Sequence, residues 1–141
     1  MKKPELLAYM RSHKLAVVGS RTENGAPQGA LVGIATTDDF QVVFDTASTS
    51  RKHANFLRDA RASVTFCGPD EQTLQFEGAA VSISMTQTED APYLDAYYAA
   101  WPDGRDRAKW PSIAYWRIAP RWARFSDYNR GPLIAEFTFP D

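Results

Sequence analysis

Residues 73–85 read TLQFEGAAVSISM, a run too long for an ordinary strand and out of phase with itself. Leu74 and Phe76 share one parity, Val81, Ile83 and Met85 hold the other, and the change falls across Gly78-Ala79-Ala80. Successive side chains of a strand point to opposite faces, so a phase change at a glycine reads as a bulge or sharp bend. That is how a strand turns a barrel corner, and it sets the expectation for everything around it.

Upstream, RASVTFC (61–67) alternates cleanly as a half-buried strand, with Ala62, Val64 and Phe66 on one face. KLAVVGS and GALVGIATT flank RTENGAPQ, whose Asn24-Gly25 pair is a strong hairpin turn signal, and QVVFDT follows Asp38-Asp39. These three runs are expected to form a meander. Pro4 opens a short N-terminal helix with Leu6, Leu7 and Met10 on one face, placed to plug one side of the core. Downstream, TEDAPYLDAYYAAW reads as a helix capped by Thr88 or Asp90, with Tyr93, Tyr97, Ala100 and Trp101 along one stripe. PDGRDRAKWP reads as a polar loop, and SIAYWRIA, RWARFSDY and LIAEFTF as closing strands. The sum is a mostly β, α+β chain: six or seven antiparallel strands in a small barrel with a few flanking helices, one domain over 1–141.

A chain of 141 residues with 44% hydrophobic and 13% aromatic content can bury a core of its own. Sixteen basic and seventeen acidic residues leave a net charge of -1, so there is no global field for nucleic acid or anionic lipid, and any anion site must be local. The apolar run near the N-terminus is broken by Glu5, Tyr9 and Arg11, no window approaches membrane-span length, and Cys67 is the one cysteine. A cytoplasmic location is the expectation. Glycine-rich dinucleotide and phosphate loops are absent, and VVGSRTENG lacks the second glycine of a nucleophile elbow. His13 and His53 with one cysteine build no soft-ligand metal cluster, and no metal is expected. His13 suits a helix C-terminus better than catalysis. Trp101, Trp110, Trp116 and Trp122 could stack on a flat ligand, though core or subunit contact is the commoner use of such residues.

One stretch breaks a rule. In DTASTSRKHANFLRDA, small hydroxyl residues lead into a helix whose first turn carries Arg51, Lys52 and His53, at the positive end of the helix dipole. Free N–H groups at a helix start, with Ser or Thr hydroxyls before them, cradle anions, and Arg and Lys there are accounted for by a bound phosphate. The competing explanation is a solvated basic patch paired with Asp59 or nearby acids.

The order of GALVGIA, a turn, QVVFDT, Ser50-Arg51-Lys52 opening a helix, then RASVTF, QFEGAAVSI and the expected C-terminal hairpin YWRIAPRWARFSDY, resembles the FMN-binding split β-barrel proteins related to pyridoxamine 5′-phosphate oxidase, in their general-stress-protein branch. The likeness runs from about Lys14 to Tyr128. It implies that Ser50, Arg51 and Lys52 hold the FMN phosphate. It implies that Leu31, Val32, Gly33 and Ile34 run along the isoalloxazine ring, and that Asp45 and Thr46 touch the cofactor from the next strand end. Thr73 falls near a position where the oxidases use a glutamine, and Phe125 or Ser126 where relatives often carry a tryptophan beside the flavin. It also implies a homodimer in which two subunits build each flavin site.

The departures bear on activity. Where the oxidases place an arginine and a lysine for the substrate phosphate, this chain has Ala30 and Ala35, and its C-terminal motif is RFSDYN rather than an arginine and histidine one residue apart. The expectation is an FMN-binding flavoprotein, an oxidoreductase that does not oxidise pyridoxamine phosphate, with no side chain marked as a catalytic acid or base. The alternatives are the same fold holding deazaflavin F420 or haem, and a sensing protein that binds flavin without turnover.

Overall fold

The computed structural model describes residues 1–140. Among them eight strands, β1 (Leu15–Arg21), β2 (Pro27–Gly33), β3 (Ala35–Thr36), β4 (Val42–Ala47), β5 (Arg61–Cys67), β6 (Thr73–Ile83), β7 (Ile113–Asp127) and β8 (Leu133–Thr138), join one sheet. Its order is β2-β1-β5-β6-β7-β4-β3, with β8 paired to β7 off that path and every pairing antiparallel. Four α-helices flank it: α1 (Lys3–Arg11), α2 (Arg51–Arg58), α3 (Ala91–Ala100) and α4 (Gly104–Arg107). The sheet curls without joining its two end strands, giving the split barrel.

The interior is filled by Val18, Phe44, Val64, Phe66, Leu74, Phe76 and Ile118 from the strands, and by Leu6 and Met10 of α1, all at most 1% exposed. Complete burial of such side chains contributes about 2 kcal/mol each. This explains why the short α1 holds its place: its apolar stripe is the plug at one barrel end.

The corner lies where the sequence puts it, but the extra residue is on the partner strand. Pairing of β6 with β7 shifts between Glu77, opposite Trp122, and Gly78, opposite Pro120, which leaves Arg121 unpaired on β7. Ala80 therefore stays on the same interior face as Leu74 and Phe76, while β7 changes phase, from Trp116 and Ile118 before the bulge to Ala123 and Phe125 after it. A Cβ on Gly78 would lie 1.9 Å from the Ala119 carbonyl oxygen, so only glycine fits that crossing. Ile83 is buried for a different reason. It faces outward into a second cluster with Ala35, Val43 and Tyr115, covered by Leu94 and Tyr97 of α3.

Three expectations are corrected. The run GALVGIATT is two strands rather than one, broken at Ile34: its first part, in β2, pairs with β1 and its second, β3, pairs with β4, whose longer partner is β7. Val42, Val43 and Phe44 are all 0% exposed because β4 is covered on both faces, Val42 and Phe44 by the barrel interior and Val43 by the cluster under α3. The runs SIAYWRIA and RWARFSDY are one continuous strand, β7, and the C-terminal hairpin is β7–β8. The polar loop after Trp101 contains α4, whose Arg107 is half-buried against the sheet.

Candidate phosphate cradle at the start of α2

Helix α2 begins directly after β4, and its first turn is tied to that strand. The Thr46 hydroxyl, at the buried end of β4, donates to Ser50 Oγ at 2.9 Å, and Ser50 Oγ accepts from His53 N at 3.2 Å. Ser50 thus caps the helix, and the other first-turn N–H groups have no carbonyl inside the helix to bond. Asp59 does not neutralise the cations here. It pairs with Arg21 at 3.0 Å and Arg61 at 2.7 Å, and among the described residues no carboxylate forms an ion pair with Arg51 or Lys52. Burial lowers the Lys52 pKa, and the Asp45 carboxylate nearby offsets part of that. An ammonium held out of water without a paired carboxylate favours an anion beside it.

A cleft of about 220 Å³ lies between Arg51 and Lys52 on the helix and Gln28, Gly29 and Ala30 on β2, floored by Val18 and Ser20. Its polar wall is a network that joins three elements. Asn55, 4% exposed, donates to Ser20 Oγ at 2.9 Å and to Gln28 Oε1 at 2.8 Å. The other end of the Gln28 amide lies 2.7 Å from Arg51 Nη1, so Gln28 stands between Asn55 and the guanidinium and its oxygen can serve either donor. This was not readable from local pattern. It follows from hairpin register, which sets Ser20 opposite Gln28 once the turn at Asn24-Gly25 is placed.

Strand β2 is an end strand of the sheet, so one row of its main-chain N–H and C=O groups is open, and Pro27 sits where an edge tolerates it. Leu31 is 65% exposed on the outer face, and Val32 turns into the core. Gly33 and Ile34 lie under Trp101, a contact the sequence did not reveal. The indole Nε1 donates to the Ile34 carbonyl at 2.9 Å, and a Cβ on Gly33 would come within 2.7 Å of the ring. Lys14 also holds the indole, its ammonium 4.2 Å from the ring centroid and 2.7 Å from the Ala100 carbonyl.

Asp45, Thr73 and Phe125 do not line the cleft. Asp45 faces the α3–α4 side, bonded by Arg107 Nε at 2.7 Å, and Arg107 Nη2 also donates to the Tyr97 hydroxyl at 3.0 Å. Thr73 sits at the start of β6, its hydroxyl donating to the Glu71 carbonyl at 3.4 Å. Phe125 is 3% exposed inside the barrel, its ring 5.1 Å from Tyr9 of α1. Within this chain neither lines the cleft with Arg51 and Lys52. The tryptophans do not cluster: Trp116 is core, Trp110 is 57% exposed, and Trp122 pairs with Thr138 of β8. Trp116 Nε1 donates to His53 Nδ1 at 3.0 Å, and His13 caps α1 through Tyr9 O at 2.8 Å. Among the described residues no group of three or more metal-ligating side chains is assembled, and no helix is long and apolar enough to cross a membrane.

Comparison with known proteins places this geometry. The solved structures with similar folds include a haem-binding protein from Mycobacterium smegmatis, with a TM-score of 0.82 at 15% identity over 98% of this chain; this chain spans 59% of that protein's length. A pyridoxamine 5′-phosphate oxidase-related, FMN-binding protein from Nostoc punctiforme matches at 0.69 and 13% identity, covering 98% of this chain and 95% of its own. A protein from Clostridium acetobutylicum related to general stress protein 26 of B. subtilis matches at 0.71 and 16%, covering 96% and 93%. No curated protein matches the sequence significantly. At these identities the structures share the fold. The family model for pyridoxamine 5′-phosphate oxidase matches residues 3–127, the whole of α1 through β7, and the chain belongs to that family.

Proposed function

We propose that this protein binds FMN in the cleft between α2 and β2 and serves as a cytoplasmic flavin-dependent oxidoreductase, working as a homodimer. The observation that carries this reading is the first turn of α2, where Arg51 and Lys52 lack carboxylate partners beside a Ser50 cap and an open strand edge. A dianionic phosphate fits there. Ser50, Arg51 and Lys52 would hold it, and the main chain at 31–34 would run along the ring. Bound FMN supplies hydride or single-electron transfer. The chain's part is to fix the cofactor and exclude water: Trp101 closes the Gly33–Ile34 end, and Val32 and Ile34 back the strand with core. Asp45 and Tyr97 are committed to Arg107, so neither stands as a free acid or base.

Replacing Arg51 and Lys52 together by Ala should weaken FMN binding at least a hundredfold, followed by flavin fluorescence quenching, while circular dichroism stays unchanged. Each lost charge-assisted contact is worth about 1.5–3 kcal/mol. Unchanged affinity would place the phosphate elsewhere.

Oxidation of pyridoxamine phosphate is not part of this reading. Ala35, where the oxidases carry the substrate lysine, is 6% exposed in the outer cluster with Leu94 and Tyr97 of α3, so a lysine there would have to displace the helix. The purified protein supplied with FMN should form no pyridoxal phosphate by absorbance, and steady formation would remove this argument.

Haem is the second reading, favoured by the Mycobacterium smegmatis relative. It requires an axial ligand, and His53 has Nδ1 committed to Trp116. A Soret band on haem addition, retained in the Arg51/Lys52 variant, would favour it over FMN. Deazaflavin F420 would compete with FMN for the same cradle.

A further inference from the structure

The phosphate cleft does not end at Arg51. The same arginine also lines a second groove of about 490 Å³, which runs along α2 past Ala54 and Asn55 to Arg58 and is walled opposite by the hairpin turn at Thr22, Glu23 and Asn24. Its volume lies within the range of about 300–1,000 Å³ typical of small-molecule sites. The groove carries two arginines against one acid, Glu23.

Arg58 resembles Arg51 in its surroundings. Asp59, its neighbour in sequence, is taken by Arg21 and Arg61, and among the described residues no carboxylate pairs with Arg58. Its guanidinium is held by neutral acceptors, the Asn55 side-chain oxygen at 2.9 Å and the carbonyls of Ala54 and Arg21 at 3.4 Å. Asn55 is itself fixed by Ser20 and Gln28, the residues that shape the first cleft. Side chains on a helix lean toward its N-terminus. Arg51 and Arg58 lean the same way and stand two helical turns apart, about 10 Å along the axis at 1.5 Å per residue. Arg51 and Arg58 thus line the same groove with the Gln28 and Asn55 amides between them, and the groove gives a ligand anchored at Arg51 a path along α2 to Arg58.

We infer that the site accepts a flavin whose phosphate is esterified onward, a flavin dinucleotide, with Arg51 shared between the first phosphate and the second and Arg58 binding the second. The adenosine half would occupy the groove beneath the hairpin turn. This rests on the phosphate reading of the cradle and deepens it, because a cleft built for FMN alone needs neither the groove nor a carboxylate-free Arg58.

The test titrates wild type, Arg58→Glu and Arg58→Lys with FMN and with FAD at about 0.15 M salt, where the screening length is near 8 Å, so that a remote charge has little reach. Wild type should bind FAD at least as tightly as FMN. Arg58→Glu should weaken FAD tenfold or more and FMN no more than about twofold, a difference of roughly 1 kcal/mol, and Arg58→Lys should recover most of the FAD affinity. Retained FMN binding in each variant shows that the cradle is folded. FMN binding with FAD excluded, or equal effects on the two ligands, overturns the dinucleotide site and leaves the FMN reading standing. Failure of wild type to bind either flavin overturns both.

Discussion

Gln28 decides how the cradle is set before any ligand arrives. Its amide is wedged between Asn55 Nδ2 and Arg51 Nη1, so it holds the guanidinium with a neutral group that a phosphate can outcompete. Gln28→Glu keeps the shape and substitutes a carboxylate, giving Arg51 an internal partner. FMN affinity should fall about tenfold, or 1.4 kcal/mol, while riboflavin, which lacks the phosphate, binds as before; equal losses for both would mean that Gln28 only supports the fold. At this scale the sequence was half legible. Ser50, Arg51 and Lys52 stood out because cations in the first turn of a helix violate a local electrostatic rule that needs no tertiary information. Gln28, Asn55 and Arg58 did not, because a glutamine in a strand and an asparagine or arginine in a helix violate nothing. Their roles come from a cross-strand register and from Asp59 choosing Arg21 and Arg61.

Among the elements, α3 and α4 set the limits of the site. They cover the outer face of β3, β4 and β7, hold Trp101 on the end of β2, and place Arg107 between Asp45 and Tyr97. Burial raises the pKa of Tyr97 strongly, with Asp45 adding to it, and burial likewise raises that of Tyr115, which accepts a hydrogen bond from Tyr98 at 3.0 Å. The sign follows from linkage. An acid whose folded pKa lies above its unfolded value of about 10 favours the folded state most while both states keep the proton, and loses that advantage as pH rises above 10. Melting temperature measured from pH 8 to 11 should fall steeply above about pH 10, less steeply in Tyr97→Phe; the same curve in both proteins would show that Tyr97 is not the group responsible. Helix α3 was legible from its aromatic stripe. The role of the next segment was not, because a four-residue helix leaves no periodic signal, and Arg107 matters through Asp45, 62 residues away in the chain. The barrel corner was legible on β6 through Gly78. Its extra residue was invisible, since Arg121 looks like any strand residue until pairing fails opposite it.

For the molecule as a whole, the two outer faces of the sheet are treated differently. One is sealed by α3. The other, on β1, β2, β5 and β6, presents Val17, Gly19, Gly29, Ser63 and Thr65 around a depression of about 560 Å³, with Leu15 and Leu31 50% and 65% exposed beside it. This larger cleft is distant in character from the cradle: it has no cation without a carboxylate partner, since Arg21 and Arg61 pair with Asp59 and Arg121 with Glu77 at its rim. This face is the one that the homodimer proposed above would use, with small residues inside a rim of three arginines paired with two acids. It also adjoins β2, whose open edge is the proposed ring site, so a second subunit seated here would complete the flavin pocket from outside. Sedimentation equilibrium at micromolar concentration should therefore report a dimer. Leu31→Arg, which would set a charge into that contact, should give a monomer with weakened FMN affinity, although Arg51 and Lys52 are untouched. A monomeric Leu31→Arg protein that binds FMN as tightly as wild type would separate the two ideas, leaving the phosphate cradle self-sufficient and the dimer without a part in the site.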